Sequence, residues 1–142
     1  MGAAEGVVDQ AAERLRKQFP GINIVGCYSP TYGFENNENE IQSILSMLSE
    51  KKPDILLVGV GAPKQEKWIY KYYAKYNIPV SIGVGATFDF IAGNVKRAPA
   101  IMQKYGMEWL WRLCQEPKRL WRRYLVEDAR FFKLVLQELL QR

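Results

Sequence analysis

Apolar and polar positions alternate along this chain in two periods. Val7, Val8, Ala11, Ala12, Leu15 and Phe19 recur at helical spacing and predict an amphipathic helix over Val7–Phe19, which Pro20–Gly21 ends. Ile22–Cys27 is a β-branched run and predicts a strand. Ile41, Ile44, Leu45 and Leu48 form the apolar stripe of a second helix, Glu40–Lys51, with Asn39 or Glu38 as its cap. Ile55–Val60 is another apolar run and ends on Gly59 and Gly61. Pro63 then stands where a helix begins, and Lys64–Tyr76 follows at helical period. Val80–Val84 predicts the next strand and ends on Gly83 and Gly85. Strand, crossover helix and strand make a parallel βαβ unit, so the fold class is α/β with flanking helices. Ligands of such sheets bind beyond the carboxyl ends of the strands, where both glycine turns fall.

The two ends of the chain read differently. Met1–Gly6 is a glycine-bearing turn with no strand before it. A doubly wound sheet starts with a strand, so the chain either begins partway through a fold or opens on a helix with a ragged start. After Arg97–Pro99 the pattern predicts two helices, Ala100–Cys114 and Pro117–Gln141. Two parts follow, an α/β part over 1–97 and a helical appendage over 98–142.

Composition narrows the chemistry. The 142 residues are 48% hydrophobic, enough for one domain with a real core. No apolar run approaches the about 18–20 residues of a membrane span, and the N-terminus has no signal-peptide pattern. The chain has no histidine, which removes Ser-His and Cys-His nucleophile pairs and histidine metal sites. Its 2 cysteines, Cys27 and Cys114, have no metal spacing and read as free thiols in a cytosolic setting. The net charge of +5 is uneven: residues 1–95 hold 9 basic and 10 acidic side chains, residues 96–142 hold 11 and 5. A polyanionic partner is therefore sought at the C-terminal third.

The glycine turns fail the dinucleotide fingerprint, because Lys64 and Phe88 stand where its third glycine should be. Neither turn carries a Walker lysine. The first turn of the helix after Pro63 offers free N–H groups to a phosphate or carboxylate, with Gln65 able to donate and accept. The plainer alternative is a solvated helix face. Asp89, between Phe88 and Phe90 past a strand end, suits a ribose, base or sugar hydroxyl, or else caps a helix. The loop Ser29–Asn39 holds Tyr32, Gly33 and Phe34, either facing a ligand or serving turn chemistry with aromatics capping the core.

The basic third sets Trp109, Trp111, Trp121, Tyr124, Phe131 and Phe132 among Arg112, Lys118, Arg119, Arg122, Arg123 and Arg130. Tryptophan and arginine on amphipathic helices fit an anionic membrane surface. The arginines also fit a diphosphate, and a hairpin packing its aromatics on the core remains open. Nucleic acid fits less well: no RNP, KH or helix-turn-helix pattern is present, and Glu127–Asp128 interrupts the basic face.

The segments GVGAPKQEKWI, GVGATFDFIAGNVKRAP and GMEWLWRLCQEPKRLWRRYL, in this order, resemble the WecG/TagA/CpsF glycosyltransferases. GAAEGV and NIVGCYSPTYGF fit as well. The resemblance implies a partial Rossmann-like parallel sheet and a transferase that moves N-acetylmannosamine from UDP-ManNAc to an undecaprenyl-diphosphate-linked GlcNAc. In the TagA branch this starts the wall teichoic acid linkage unit. It implies a peripheral protein on the inner face of the bacterial cell membrane, metal-independent and without a cofactor. It implies that family members carry a further N-terminal segment with the catalytic base, so this chain is expected to be an inactive fragment. The apolar edge such a segment would leave open favours association between copies, so a homo-oligomer is kept among the partners. Residue by residue, it implies donor contacts at Tyr32, Gly33, Phe34, Gly61, Gln65, Gly85 and Asp89. Arg112, Arg119 and Arg122, together with Gln65, would serve the diphosphate leaving group. Trp109, Trp111, Trp121, Arg123, Phe131 and Phe132 would meet the membrane. The alternative is a non-catalytic scaffold that binds membrane or nucleic acid.

Overall fold

A computed structural model describes residues 1–115, 117–122 and 137, with the side chains of Arg119 and Arg122 left out of the description. The chain divides into two compact units, Met1–Lys96 and Arg97–Arg142.

The first unit is built on two parallel strands, β1 (Ile55–Val58) and β2 (Val80–Gly83), paired Ile55 to Val80 through Val58 to Gly83. Period-two alternation sends Leu56 and Val58 to one face and Ile55 and Leu57 to the other. Helices α2 (Glu38–Lys51) and α3 (Lys64–Tyr76) cover the first face. There Ile41, Ile44, Leu45 and Leu48 meet Leu56, Val58, Trp68, Tyr72 and Tyr76 in one buried cluster. Trp68 stacks on Tyr76 with ring centroids 5.8 Å apart and planes 13° apart. Helices α1 (Val7–Gln18) and α4 (Thr87–Ala92) lie on the opposite face, where Val7, Val8 and Ala11 pack with Phe88 and Ala92. Helices on both faces of a parallel sheet are the α/β arrangement that the apolar periods predict. Fully burying an aliphatic side chain stabilises by about 1.5–3 kcal/mol, and Ile44 and Val58 are fully buried.

Four expectations need correction. Ile22–Cys27 forms no strand. A strand exists only through a ladder partner, and among the described residues the backbone bonds here are a turn bond from the Ile22 N–H to the Phe19 carbonyl and, just past the segment, one from the Gly2 N–H to the Tyr28 carbonyl. Helix α2 is capped by Asn37, not by Asn39 or Glu38: the Asn37 side chain accepts from the Glu40 N–H at 3.3 Å. The stripe of α1 buries Val7, Val8, Ala11 and Ala12, but Leu15 is only half-buried and Phe19 is exposed, because the helix ends at Gln18. The stretch Ala100–Cys114 is two helices, α5 (Ala100–Lys104) and α6 (Glu108–Gln115), with Gly106 in the break.

In the second unit the Gln103 side chain donates to the Ala98 carbonyl at 2.6 Å and so ties α5 to the segment before it. Pro117 opens α7 (Pro117–Arg122) as its first residue. The rest of the expected helix to Gln141 lies outside the described residues, Gln137 excepted. Among the described residues, no helix is long and apolar enough to cross a membrane.

Candidate functional site

Both strands of the first unit end in a glycine pair, and the two members of each pair do different things. The second glycines, Gly61 and Gly85, have φ of 87° and 54°, a region open to glycine at little cost. The first glycines make room. A Cβ on Gly83 would lie 2.7 Å from Gln65 Nε2, and one on Gly59 would lie 2.6 Å from the Phe88 ring and 2.8 Å from the Gly85 carbonyl oxygen. Gly83 shares its face with α3 and Gly59 shares its face with α4, so each clearance seats one helix against a strand end.

Gln65 occupies the centre of this arrangement. It is 5% exposed, the buried polar side chain of the first turn of α3. Its Oε1 accepts from the Gly85 N–H at 3.0 Å, and its Nε2 donates to Glu66 Oε1 at 2.8 Å. The Gln65 N–H also donates to the Gly61 carbonyl at 2.9 Å. One residue thus bonds both glycine turns and fixes their separation. Asp89 sits in the first turn of α4, half-buried, at the end of β2. Its carboxylate makes no hydrogen bond or ion pair among the described residues, and α4 has no side-chain cap. The carboxylate is therefore open to a ligand hydroxyl or N–H.

The loop after Tyr28 closes on the same end of the sheet. Tyr32 is fully exposed, Gly33 turns the chain at φ 82°, and Phe34 is 2% exposed with its ring 6.4 Å from Trp68. Phe34 is thus a core residue, while Tyr32 is the member of the trio that projects outward. Lys64 Nζ lies 5.5 Å over the Tyr32 ring and 2.6 Å from Glu35 Oε1. That ammonium holds the Glu35 carboxyl below its ordinary range. Glu35 Oε2 and Trp68 Nε1 are both buried without a hydrogen-bond partner among the described residues. Glu40 anchors the loop from below, accepting from the Thr31 hydroxyl, from the Thr31 N–H at 2.8 Å and from Tyr28 Oη at 3.2 Å. Those bonds, the Thr31 hydroxyl first, lower the Glu40 pKa.

Sequence reasoning passed over Lys64, Glu35 and Glu40. The Glu35–Lys64 pair joins segments with no shared period, so nothing along the chain announces it. Glu40 was legible, because Asn37 followed three residues later by glutamate is a capping-box pattern. Here the glutamate reaches past the cap to Thr31.

The residues assigned to the appendage belong to the second unit. Trp109 and Trp121 are each nearly half exposed, and Trp111 and Arg112 are half-buried. The side chains of Arg119 and Arg122 are not described, and Arg123, Phe131 and Phe132 lie outside the described residues. An open cleft of about 420 Å³ lies at the other end of the sheet, lined by Ser49, Lys52, Asp54, Lys75, Tyr76 and Asn77. Its position before the strands, beside the negative ends of α2 and α3, separates it from the glycine turns.

The family pattern described as the Glycosyl transferase WecG/TagA/CpsF family matches residues 1–142. The chain belongs to this family. A transferase of Bacillus spizizenii (strain ATCC 23059 / NRRL B-14472 / W23) named N-acetylglucosaminyldiphosphoundecaprenol N-acetyl-beta-D-mannosaminyltransferase is 39% identical over 124 residues, covering 87% of this chain and 46% of the relative. A protein of the same name from Bacillus subtilis (strain 168) is 36% identical, again over 87% of this chain and 46% of the relative. One from Staphylococcus aureus (strain MW2) is 34% identical over 86% of this chain and 46% of the relative. The chain therefore spans about half the length of the curated relatives it matches.

Proposed function

We propose that these residues form the donor-binding part of a glycosyltransferase that moves N-acetylmannosamine from UDP-ManNAc to undecaprenyl-diphosphate-linked GlcNAc, starting the wall teichoic acid linkage unit. The observation that carries the reading is the match to transferases of that name over 87% of the chain. The strand-end geometry supports it. Asp89 is a carboxylate without a partner among the described residues, beside the Gly85 turn, and suited to hydroxyls of a ribose or sugar. Tyr32 supplies an exposed aromatic face for a base.

In this reading Gln65 holds the two turns at the donor's width. By resemblance to the family motif, Arg112, Arg119 and Arg122 are assigned to stabilising the charge that builds on the diphosphate leaving group, the task a metal ion performs elsewhere. The arrangement is metal-independent. Trp109, Trp111 and Trp121, with Arg123, Phe131 and Phe132, rest on the anionic inner surface of the cell membrane beside the lipid-linked acceptor.

Calorimetry with UDP tests the reading. The 142-residue chain is expected to release binding heat, and Asp89→Asn to weaken binding by about tenfold, the loss of about 1.4 kcal/mol. A heat of zero with intact, folded protein overturns it. A complete enzyme with Arg119→Gln and Arg122→Gln separates the two roles of the basic block. Lost turnover on a soluble acceptor places the arginines at the diphosphate, whereas retained turnover with lost liposome binding confines them to the membrane.

A further inference from the structure

Helix α4 has only 6 residues and no side-chain cap at its start, so its placement depends on ties to its surroundings. Phe88 and Ala92 seat it on Val7, Val8 and Ala11 of α1. The backbone closes its far end. There the Asn94 N–H donates to the Asp89 carbonyl at 3.0 Å and the Gly93 N–H to the Phe90 carbonyl at 3.1 Å, with Gly93 at φ 77°. These are the two bonds of a Schellman turn. They satisfy two of the last carbonyls of the helix and leave that of Ile91. Arg14, on the exposed side of α1, takes it: Nη1 donates to the Ile91 carbonyl at 3.2 Å. The guanidinium lies over the turn itself. A Cβ on Gly93 would collide with Nη1 and stand 2.9 Å from Nη2 and 3.0 Å from Cζ. Val7, Ala11 and Arg14 follow one stripe of α1 at spacings of four and three, so the packing that seats α4 also aims Arg14 at its end.

We propose that Arg14 is a positioning residue for Asp89, acting from α1 through the closing turn of α4. The inference rests on the reading of Asp89 as a donor contact. The Asp89 carboxylate has no partner among the described residues, so its place is set by the backbone that carries it. That backbone enters the closing turn directly, because the Asp89 carbonyl accepts the longer-range bond of the pair. Arg14 supplies what the turn lacks, a donor for the remaining carbonyl and a cation at the negative end of the helix. Without it the last turn of α4 frays, and the fraying reaches Asp89 at once. Binding a hydroxyl there must then re-order the helix as well.

Calorimetry with UDP and the carboxyl-carbon NMR signal of Asp89 test the proposal together, on the 142-residue chain. Arg14→Met keeps an apolar stem and removes the donors, whereas Arg14→Lys keeps a cation and a donor. Arg14→Met is expected to weaken UDP binding about three- to fivefold, to shift and broaden the Asp89 signal, and to speed exchange of the Asn94 amide. Arg14→Lys is expected to recover most of each effect. In an Asp89→Ala background Arg14→Met should leave UDP affinity unchanged. An Asp89 signal that Arg14→Met does not move overturns the proposal. So does an equal loss of affinity in the Asp89→Ala background, which would make Arg14 a general support of the fold. The NMR arm needs no nucleotide and separates the two readings. A chain that binds no UDP, yet shows the shift and its recovery by lysine, refutes the donor reading and upholds the positioning. A chain that binds UDP with its Asp89 signal unmoved by Arg14→Met refutes the positioning alone.

Discussion

Gly83→Ala tests whether the strand-end glycines serve packing. The new Cβ would lie 2.7 Å from Gln65 Nε2, 3.0 Å from its Cδ and 3.1 Å from its Cγ. Gln65 is 5% exposed and bonded at both ends of its amide, so it cannot simply swing into water. Overpacking of this kind costs about 1–3 kcal/mol. Displacing the amide also breaks the bond to the Gly85 N–H at 3.0 Å, and a part-buried donor left unpaired costs about 1–3 kcal/mol. Alanine returns about 0.5–1 kcal/mol through the unfolded chain. Because the clash meets the flexible end of a side chain, both costs fall in the lower half of their ranges, and the net expectation is a loss of about 2 kcal/mol. Urea unfolding followed by tryptophan fluorescence measures it, since Trp68 sits in the cluster beside the turn. The decisive arm is the double-mutant cycle. In a Gln65→Ala background the clash has no partner, so Gly83→Ala is expected to cost nearly nothing there, a coupling of about 2 kcal/mol. Equal costs in both backgrounds would refute the account of why glycine stands at 83.

Gly59→Ala should cost more, about 3 kcal/mol by the same unfolding assay, because its Cβ meets a backbone oxygen that no side-chain deletion removes. Trimming Phe88 should therefore rescue it only partly. Glu40 makes stability depend on pH. Its folded pKa is lowered, so its contribution is present above the ordinary glutamate value and is lost as pH falls through the folded one. Glu40→Gln should remove that acid-limb dependence and speed exchange of the Thr31 amide, whereas an unchanged acid limb would show that the loop is held by other groups.

The layers of the first unit were legible because each face repeats a period. Residues 65, 68, 72 and 76 follow helical spacing, and Gln65, Trp68, Tyr72 and Tyr76 are the buried side of α3. That same spacing announced that Gln65 points inward, although its polarity made a solvated face look natural. The strand expected at Ile22–Cys27 was not decidable from composition. β-branched residues favour a strand, but only a neighbour's backbone makes one, and the neighbour is a matter of tertiary placement. The break at Gly106 is a similar case. The apolar spacing of Ala100–Cys114 continues through it, while the backbone does not.

The failed dinucleotide fingerprint takes on a positive meaning in three dimensions. A third glycine would seat a helix close to a phosphate, but here the first glycine of each pair already seats a helix, α3 at Gly83 and α4 at Gly59. Close helix–strand packing is thus achieved without the fingerprint spacing, and Lys64 and Phe88 are free to do other work. Phe88 fills the α1–α4 layer, and Lys64 ties Glu35 and Tyr32 to the start of α3. Gln65 has both ends of its amide bonded inside the protein, so its effect on any ligand passes through the position of the Gly85 turn. A group bound at this end of the sheet then meets what the clamp leaves outward: the Gly61 and Gly85 backbone, the Asp89 carboxylate and the Tyr32 ring.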